Sequence, residues 1–273
     1  MKPIARILVG VEFTDAGQCA LNEASLLARL FGAQVVLLHS LPAVTAGERD
    51  AAAVVSHAER MLEKLATDLE GDDVRVARPF LLPVGKAAGD ALLSAISEVH
   101  PDVVVLGAGT KTAMDRVLLG ATAERVVRES SQAVWLTRPG RDHETVTRIV
   151  VAVDASDPAR EALAAAAFLA RTFVAELHTL SVLQPEEAGG DHALREVLAR
   201  IDLHGINHHI ALRHGKPAVK IVEAVSELNA DLLILGTARR TGVARLLHGN
   251  TAEKVLRQVP CSLLVVPAAG GTT

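Results

Sequence analysis

The stretch RILVGVE, Arg6–Glu12, returns 142 positions on (12 to 154) as RIVVAVD, Arg148–Asp154, and VVVLG, Val103–Gly107, returns 129 positions on (107 to 236) as LLILG, Leu232–Gly236. Two segments recurring in one order mark an internal duplication, and the smaller second offset means a shorter middle in the second copy. Each run is apolar at consecutive positions and rich in Val, Ile and Leu. Such runs lack the alternation of a half-solvated strand and predict strands buried on both faces, hence a parallel sheet.

Helix-period stretches separate the strands. In the amino-terminal copy the strands are expected at Ile7–Val11, Val35–His39, Arg75–Leu81, Val103–Leu106 and Val134–Leu136, and the helices at Ala20–Leu30, Ala51–Leu69, Ala88–Val99 and Ala123–Glu129. The carboxy-terminal copy repeats the strands at Ile149–Val153, Glu176–Val182, Ile206–Leu212, Leu232–Leu235 and Leu263–Val266, with its second helix shortened to about Asp191–Ile201. Alternating strands and helices joined by right-handed crossovers give an α/β fold, here two tandem, doubly wound, five-stranded parallel-sheet domains of Rossmann-like type. The domains are expected over residues 1–140 and 147–270, with the seam near Pro139–Thr147. Each copy is long enough for one core of its own.

The 273-residue chain carries a formal net charge of −4 and a pI near 6.3, so no global basic field recruits nucleic acid. Apolar residues make up 49% but aromatics only 2%, and Tyr is absent, so the interior must be Val, Leu, Ile and Ala and base-stacking platforms are scarce. Cys19 and Cys261 form no disulfide framework and read as buried small hydrophobes of a reducing compartment. The Ala-rich run Ala162–Ala170 is about half the ~20 residues of a membrane-spanning helix. A cytoplasmic protein with no membrane partner is expected.

In a doubly wound sheet, ligands bind beyond the carboxyl ends of the strands where the winding reverses, between the first and fourth strands. The residues closing those two strands are the best-matched positions of the copies: Glu12 and Asp154, Gly107 and Gly236. Asp154 is either a turn acceptor or an acceptor for ribose hydroxyls, a base edge or a magnesium ion; Ser156 reads as the N-cap of the following helix. From Gly236 to Thr251 runs GTARRTGVARLLHGNT. A glycine leaving a strand lets backbone approach a phosphate, and Gly249 before a helix start presents free amides there. Glycines also bound strands for conformational reasons alone, and Asn250 with Glu253 forms a capping box.

This pattern, a five-strand α/β unit with Val-Asp-x-Ser after the first strand and Gly-x2-Gly-x9-Gly-Ser/Thr after the fourth, resembles the universal stress protein family over both halves, as a tandem member. The resemblance implies a stress-response regulator that binds ATP or a related nucleotide, with Mg as its companion ion, in the crevice. In the carboxy-terminal copy Asp154, Gly236 and Gly249 match, while Arg239 replaces the second glycine and Asn250 the Ser or Thr, with Thr251 next. Arg239, beside Arg240, Arg245 and His248, either clamps phosphates, closes the loop against them, or is solvated. Val182 and Leu235 would line the base and ribose side. In the amino-terminal copy Gly107 and Gly120 remain, but Glu12 replaces the aspartate, Thr110 the second glycine and Ala121 the hydroxyl residue, with Thr122 displaced by one. This copy is therefore expected to bind nucleotide more weakly, or not at all. The alternative is an interaction scaffold, or a binder of another small ligand. The family habit of pairing through the last strand implies an intramolecular pseudo-dimer in which Val134–Thr137 lies antiparallel to Leu263–Val266, with a homodimer of the chain also allowed.

No catalytic constellation is recognisable: Ser130 and Ser131 lack a nucleophile elbow and no GxxxxGKS loop exists, so an enzyme is not expected beyond slow ATP hydrolysis. His204, His208, His209 and His214 gather around the third strand of the carboxy-terminal copy. Adjacent His208 and His209 point to opposite faces, and without a CxxC or HExxH spacing no metal set is expected.

Overall fold

In the computed structural model the buried apolar runs become strands and the periodic stretches helices, over described residues 3–41, 48–77, 80–82, 87–109, 119–139, 145–154, 156–183, 190–237 and 250–268. The amino-terminal unit holds β1 (Arg6–Gly10), α1 (Asp15–Phe31), β2 (Gln34–Ser40), α2 (Glu48–Gly71), β3 (Arg75–Val76), β4 (Phe80–Leu82), α3 (Ala88–Val99), β5 (Val103–Gly107), α4 (Ala121–Glu129) and β6 (Ala133–Thr137). The carboxy-terminal unit holds β7 (Arg148–Val153), α5 (Asp157–Phe173), β8 (Glu176–Leu183), α6 (Gly190–Ala199), β9 (His208–His214), α7 (Pro217–Glu227), β10 (Leu232–Thr237), α8 (Asn250–Gln258) and β11 (Ser262–Pro267).

All strand pairs within each unit are parallel. In the first the order is β3-β2-β1-β5-β6, with β4 continuing the edge against β2. In the second it is β9-β8-β7-β10-β11. The first strand thus lies between the second and the fourth in both copies, which is the winding reversal the duplication predicts. Helices cover both faces. A Cβ on Gly107 would meet Ala16 of α1, whereas one on Gly10, whose register partner is Leu106, would point toward Leu106 and Leu92, the latter on α3.

The core follows the composition: Ile7, Leu8, Val9, Val103, Val104 and Val105 are fully buried in one unit, and Ile149, Val150, Val151, Leu232, Leu233 and Ile234 in the other. Cys261 joins it, but Cys19 is only half-buried, since it sits toward the outer side of α1. An acidic clamp recurs at the strand starts. Asp102 Oδ2 accepts from the amides of Ala5 and Arg6, and Asp231 Oδ2 from the amides of Thr147 and Arg148 and the Thr147 hydroxyl.

Several boundaries differ from the sequence reading, the first helix starting at Asp15 rather than Ala20 among them. The expected strand Arg75–Leu81 is described as two short strands, β3 ending at Val76 and β4 starting at Phe80, with residues 78 and 79 outside the described residues. The third strand of the second unit starts at His208 rather than Ile206, because the Ile206 amide is spent on a turn to Leu203 O at 3.2 Å. Helix α6 ends at Ala199, followed by tight bonds from Arg200 to Val197 and Ile201 to Leu198.

The copies end their first helix differently. α1 stops at Gly32 with φ 61°, and α5 stops at Val174 with φ 55°. A β-branched residue in that left-handed conformation costs about 1–2 kcal/mol, and Val174, 91% exposed, has little packing to offset it. Val174→Gly is therefore expected to stabilise the carboxy-terminal unit by about 1 kcal/mol, seen as a raised urea midpoint at unchanged slope. A lowered midpoint would show that the valine side chain contributes more than its strain costs.

Candidate nucleotide crevice

Where β1, β2 and β5 end, the amino-terminal unit opens a cavity of about 150 Å³. Gly10, Val11 and Glu12 come from the end of β1, Leu38, His39 and Ser40 from β2, and Leu106 and Gly107 from β5; Gly109 follows, and the first turns of α3 and α4 supply Ala88, Leu92, Gly120, Thr122 and Ala123. The four positions singled out by sequence in this copy, Glu12, Gly107, Gly120 and Thr122, all line it. The fourth-strand and second-strand positions equivalent to Leu235 and Val182, namely Leu106 and Ser40, line it too.

Helix capping divides into two classes around this cavity. The helix that packs under the sheet, α1, has its first turn closed by Thr14 Oγ1, which accepts from Gly17 N at 3.3 Å. The helices opening on the cavity, α3 and α4, have Ala87 and Gly120 at the cap and no side-chain cap bond. Their leading amides and positive dipole ends face the space where an anion would lie. Gly120 has φ −63°, a conformation open to any residue, and a Cβ there would meet nothing within 4 Å. No packing or backbone requirement within the described residues calls for a glycine at that point.

Gly107 and Gly236 have another reason. A Cβ on Gly107 would lie 2.6 Å from Ala16 O, and one on Gly236 only 2.2 Å from Pro158 O. Both let the first turn of the first helix press on the end of the fourth strand. Close helix–strand packing, rather than approach to a phosphate, accounts for these two motif glycines.

In the carboxy-terminal unit, exposed Asp154 follows β7 and its Oδ1 accepts from Ser156 N at 3.0 Å and from the Ser156 hydroxyl. Ser156 Oγ in turn accepts from Ala159 N at 3.4 Å and caps α5. Of the two roles open to Asp154, the turn acceptor is thus present, with Oδ2 making no hydrogen bond among the described residues. Val182 is half-buried near the end of β8, Leu235 is buried and Gly236 follows it on β10, and Thr251 is half-buried in the first turn of α8. Helix α8 is described from Asn250 onward. Arg239 and Gly249, together with Arg240, Arg245, His248 and Thr110, lie outside the described residues, as does the Asn250 side chain.

The model of the universal stress protein family matches residues 3–138 and again 145–267. This chain belongs to the universal stress protein family. A universal stress protein of Mycobacterium bovis is 26% identical over 298 aligned positions, covering 96% of this chain and 99% of its own. Universal stress protein E of Escherichia coli is 38% identical over 63 positions, 23% of this chain and 20% of its own. Among solved structures, a universal stress protein from Archaeoglobus fulgidus superposes with a TM-score of 0.81 at 21% identity, covering 97% of this chain and 98% of that one, a likeness of fold.

The family pattern does not include two cavity residues, Gly109 and His39, nor Phe13 beside His39. Gly109, with φ 57°, supplies a left-handed turn two residues after Gly107, where the motif places its second glycine three after. Its signal was a glycine out of register by one. His39 Nδ1 lies 2.8 Å from Val11 O; a carbonyl only accepts, so Nδ1 carries the proton and Nε2 is the acceptor in the neutral ring. Phe13, 42% exposed, tilts over that imidazole with centroids 4.7 Å apart. The Glu12 carboxylate is exposed and makes no side-chain hydrogen bond among the described residues.

The histidine group resolves by face, as adjacent positions on a strand require. His208 Nε2 meets Thr179 Oγ1 at 2.9 Å on one face, while His209 stacks on His178 on the other, with centroids 4.9 Å apart and 19° between planes. Burial is the main cause lowering the pKa of both His178 and His208, reinforced for each by the neighbouring imidazoles and opposed at His178 by Glu176. His204 and His214 are exposed. Among the described residues, no helix is long and apolar enough to cross a membrane.

Proposed function

We propose that the protein is a regulatory universal stress protein that binds ATP or a related nucleotide at the winding reversal, mainly in its carboxy-terminal copy, and that occupancy alters its engagement with partners during stress. The observation that carries this reading is the crevice of the amino-terminal unit, where two helices without side-chain caps and a glycine open to solvent converge beyond β1 and β5. Backbone amides at those helix ends suit phosphate oxygens. Glu12 here and Asp154 Oδ2 in the other copy, which makes no hydrogen bond among the described residues, suit a magnesium ion shared with the phosphates. Phe13 over His39 offers an apolar face for a base at the rim. In the carboxy-terminal copy the sequence supplies Arg239, Gly249, Asn250 and Thr251 at the corresponding motif positions, and Arg239 would be the charge partner for phosphate.

Calorimetric titration of the whole chain with Mg·ATP tests this. Saturable binding is expected, with Gly249→Leu weakening it about tenfold or more, equivalent to about 1.4 kcal/mol. Gly120→Leu, which fills open space without straining the backbone, is expected to change it less. A chain that takes up no nucleotide at millimolar concentration would end the proposal, and a larger loss in Gly120→Leu would move the main site to the amino-terminal copy.

A second reading, a binder of another small ligand or an interaction scaffold, is favoured by one observation. The described cavity of about 150 Å³ falls below the roughly 300–1,000 Å³ of ordinary small-molecule sites, and the one charged side chain among the described residues that line it, Glu12, is negative. Native mass spectrometry of the purified chain separates the readings by the mass of whatever it retains.

A further inference from the structure

The carboxy-terminal unit holds a group of ligating side chains at the far end of its sheet from the crevice. Glu176 and His178 stand two apart on β8, so they share a face, and His178 is the register partner of His209 on neighbouring β9. One ligand atom from each of the three lies within 4.8 Å of the others. His178 Nε2 is 3.4 Å from Glu176 Oε2, is sealed from solvent, and lacks a hydrogen bond. A buried ring nitrogen beside a carboxylate with no bond between them is an unfinished arrangement.

From these residues we infer that Glu176, His178 and His209 form a binding site for a divalent ion of the zinc class. The spacing is the first argument. Two ligands on a tetrahedral ion with bonds of about 2.0–2.1 Å stand about 3.3 Å apart, close to the Nε2 to Oε2 separation. Ligand chemistry is the second. Two imidazoles and one carboxylate select zinc and its borderline neighbours over magnesium or calcium, which take oxygen.

The surroundings fit as well. Asn207 Nδ2 donates to Glu176 Oε1 at 3.3 Å, which orients the carboxylate and leaves Oε2 for the ion. Arg148, the register partner of Glu176 on β7, sends Nη1 to Leu228 O at 2.6 Å. His209 is exposed, so a fourth position remains open to water. The amino-terminal copy cannot build this site. Its residues paired to Arg6 and Leu8 are Gln34 and Val36, where the pairs to Arg148 and Val150 are Glu176 and His178.

The test is zinc titration of the whole, untagged chain after chelation, followed calorimetrically and by melting temperature, with no nucleotide present, so that its outcome is separate from that of the nucleotide reading. One zinc per chain and a rise in melting temperature with zinc concentration are expected. His209→Ala, an exposed change that leaves the core intact, and His178→Ala should each weaken this binding at least about tenfold, whereas His204→Ala should not. Cobalt(II) should give the visible absorption of a tetrahedral site, absent from both cluster variants. No uptake of zinc at millimolar concentration by the unaltered chain, or unaltered affinity in the His178→Ala/His209→Ala double variant, overturns the inference.

Discussion

Gly236→Ala is expected to destabilise the carboxy-terminal unit by about 3 kcal/mol in the complete absence of nucleotide. The added Cβ would lie 2.2 Å from Pro158 O, 2.4 Å from Pro158 C and 2.9 Å from Ala159 N, all backbone atoms of the first turn of α5. Backbone cannot rotate away as a side chain can, so the helix start must shift by about 1 Å against a close-packed sheet, at the upper end of the usual overpacking cost. The melting transition of that unit should fall by roughly 10 °C. Gly107→Ala repeats the experiment in the amino-terminal unit, where Ala16 O would be 2.6 Å away, and the effect should be smaller in line with the longer contact. Gly120→Ala is the control, expected within about 0.5 kcal/mol of the unaltered chain because nothing lies within 4 Å. Urea unfolding followed by circular dichroism reads all three. A Gly236→Ala cost below about 1 kcal/mol would show that the glycine is not needed for packing and restore the phosphate explanation.

Trp135→Ala should be the most damaging single change in the amino-terminal unit, at about 4 kcal/mol. Trp135 is the chain's one tryptophan and the largest side chain that is fully buried, 2% exposed, on β6. Truncating a buried aromatic costs about 3–5 kcal/mol through lost burial and the cavity left behind. A polar loss adds to this: Trp135 Nε1 donates to Glu23 Oε2 at 2.5 Å, and Glu23, on α1, is itself buried. Removing the indole takes a donor from a carboxylate shut away from water. Trp135→Phe keeps most of the volume but not the donor, so the difference between the two variants separates packing from the hydrogen bond. Urea midpoints give both values. If Trp135→Phe matched the unaltered chain, the indole–carboxylate bond would contribute nothing net. In the unaltered chain the same residue is a fluorescence reporter confined to this unit, and its transition should move with Gly107→Ala.

Much of the molecule was legible in the residue order. Runs such as Val103–Gly107 and Leu232–Gly236 are apolar at every position because parallel strands are covered on both faces, and the structure buries them completely through Leu106 and Leu235. The duplication placed the first strand beside the fourth before any contact was known, since each crossover is right-handed and the winding must reverse once. The edges were harder. The turn ending at Ile206 moved a strand limit by two residues, because edge pairing depends on which amides are already engaged. Within the candidate site, Glu12, Gly107, Gly120 and Thr122 were found through the motif, while His39 and Gly109 were not, as they lie on the neighbouring strand and one position out of register.

Residue order alone therefore settled the family, the doubling and the place of the crevice, because these rest on periodicity and on local chemistry that any window of the chain displays. Three-dimensional packing had to decide what each small or polar residue is for. Gly236 and Gly120 look alike as motif glycines, yet one faces a helix backbone at 2.2 Å and the other faces open space. Glu176, His178 and His209 look unrelated until parallel pairing sets His178 opposite His209. The cause is the same in both cases: strand register joins residues distant along the chain, and only the folded sheet sets which atoms come within bonding distance.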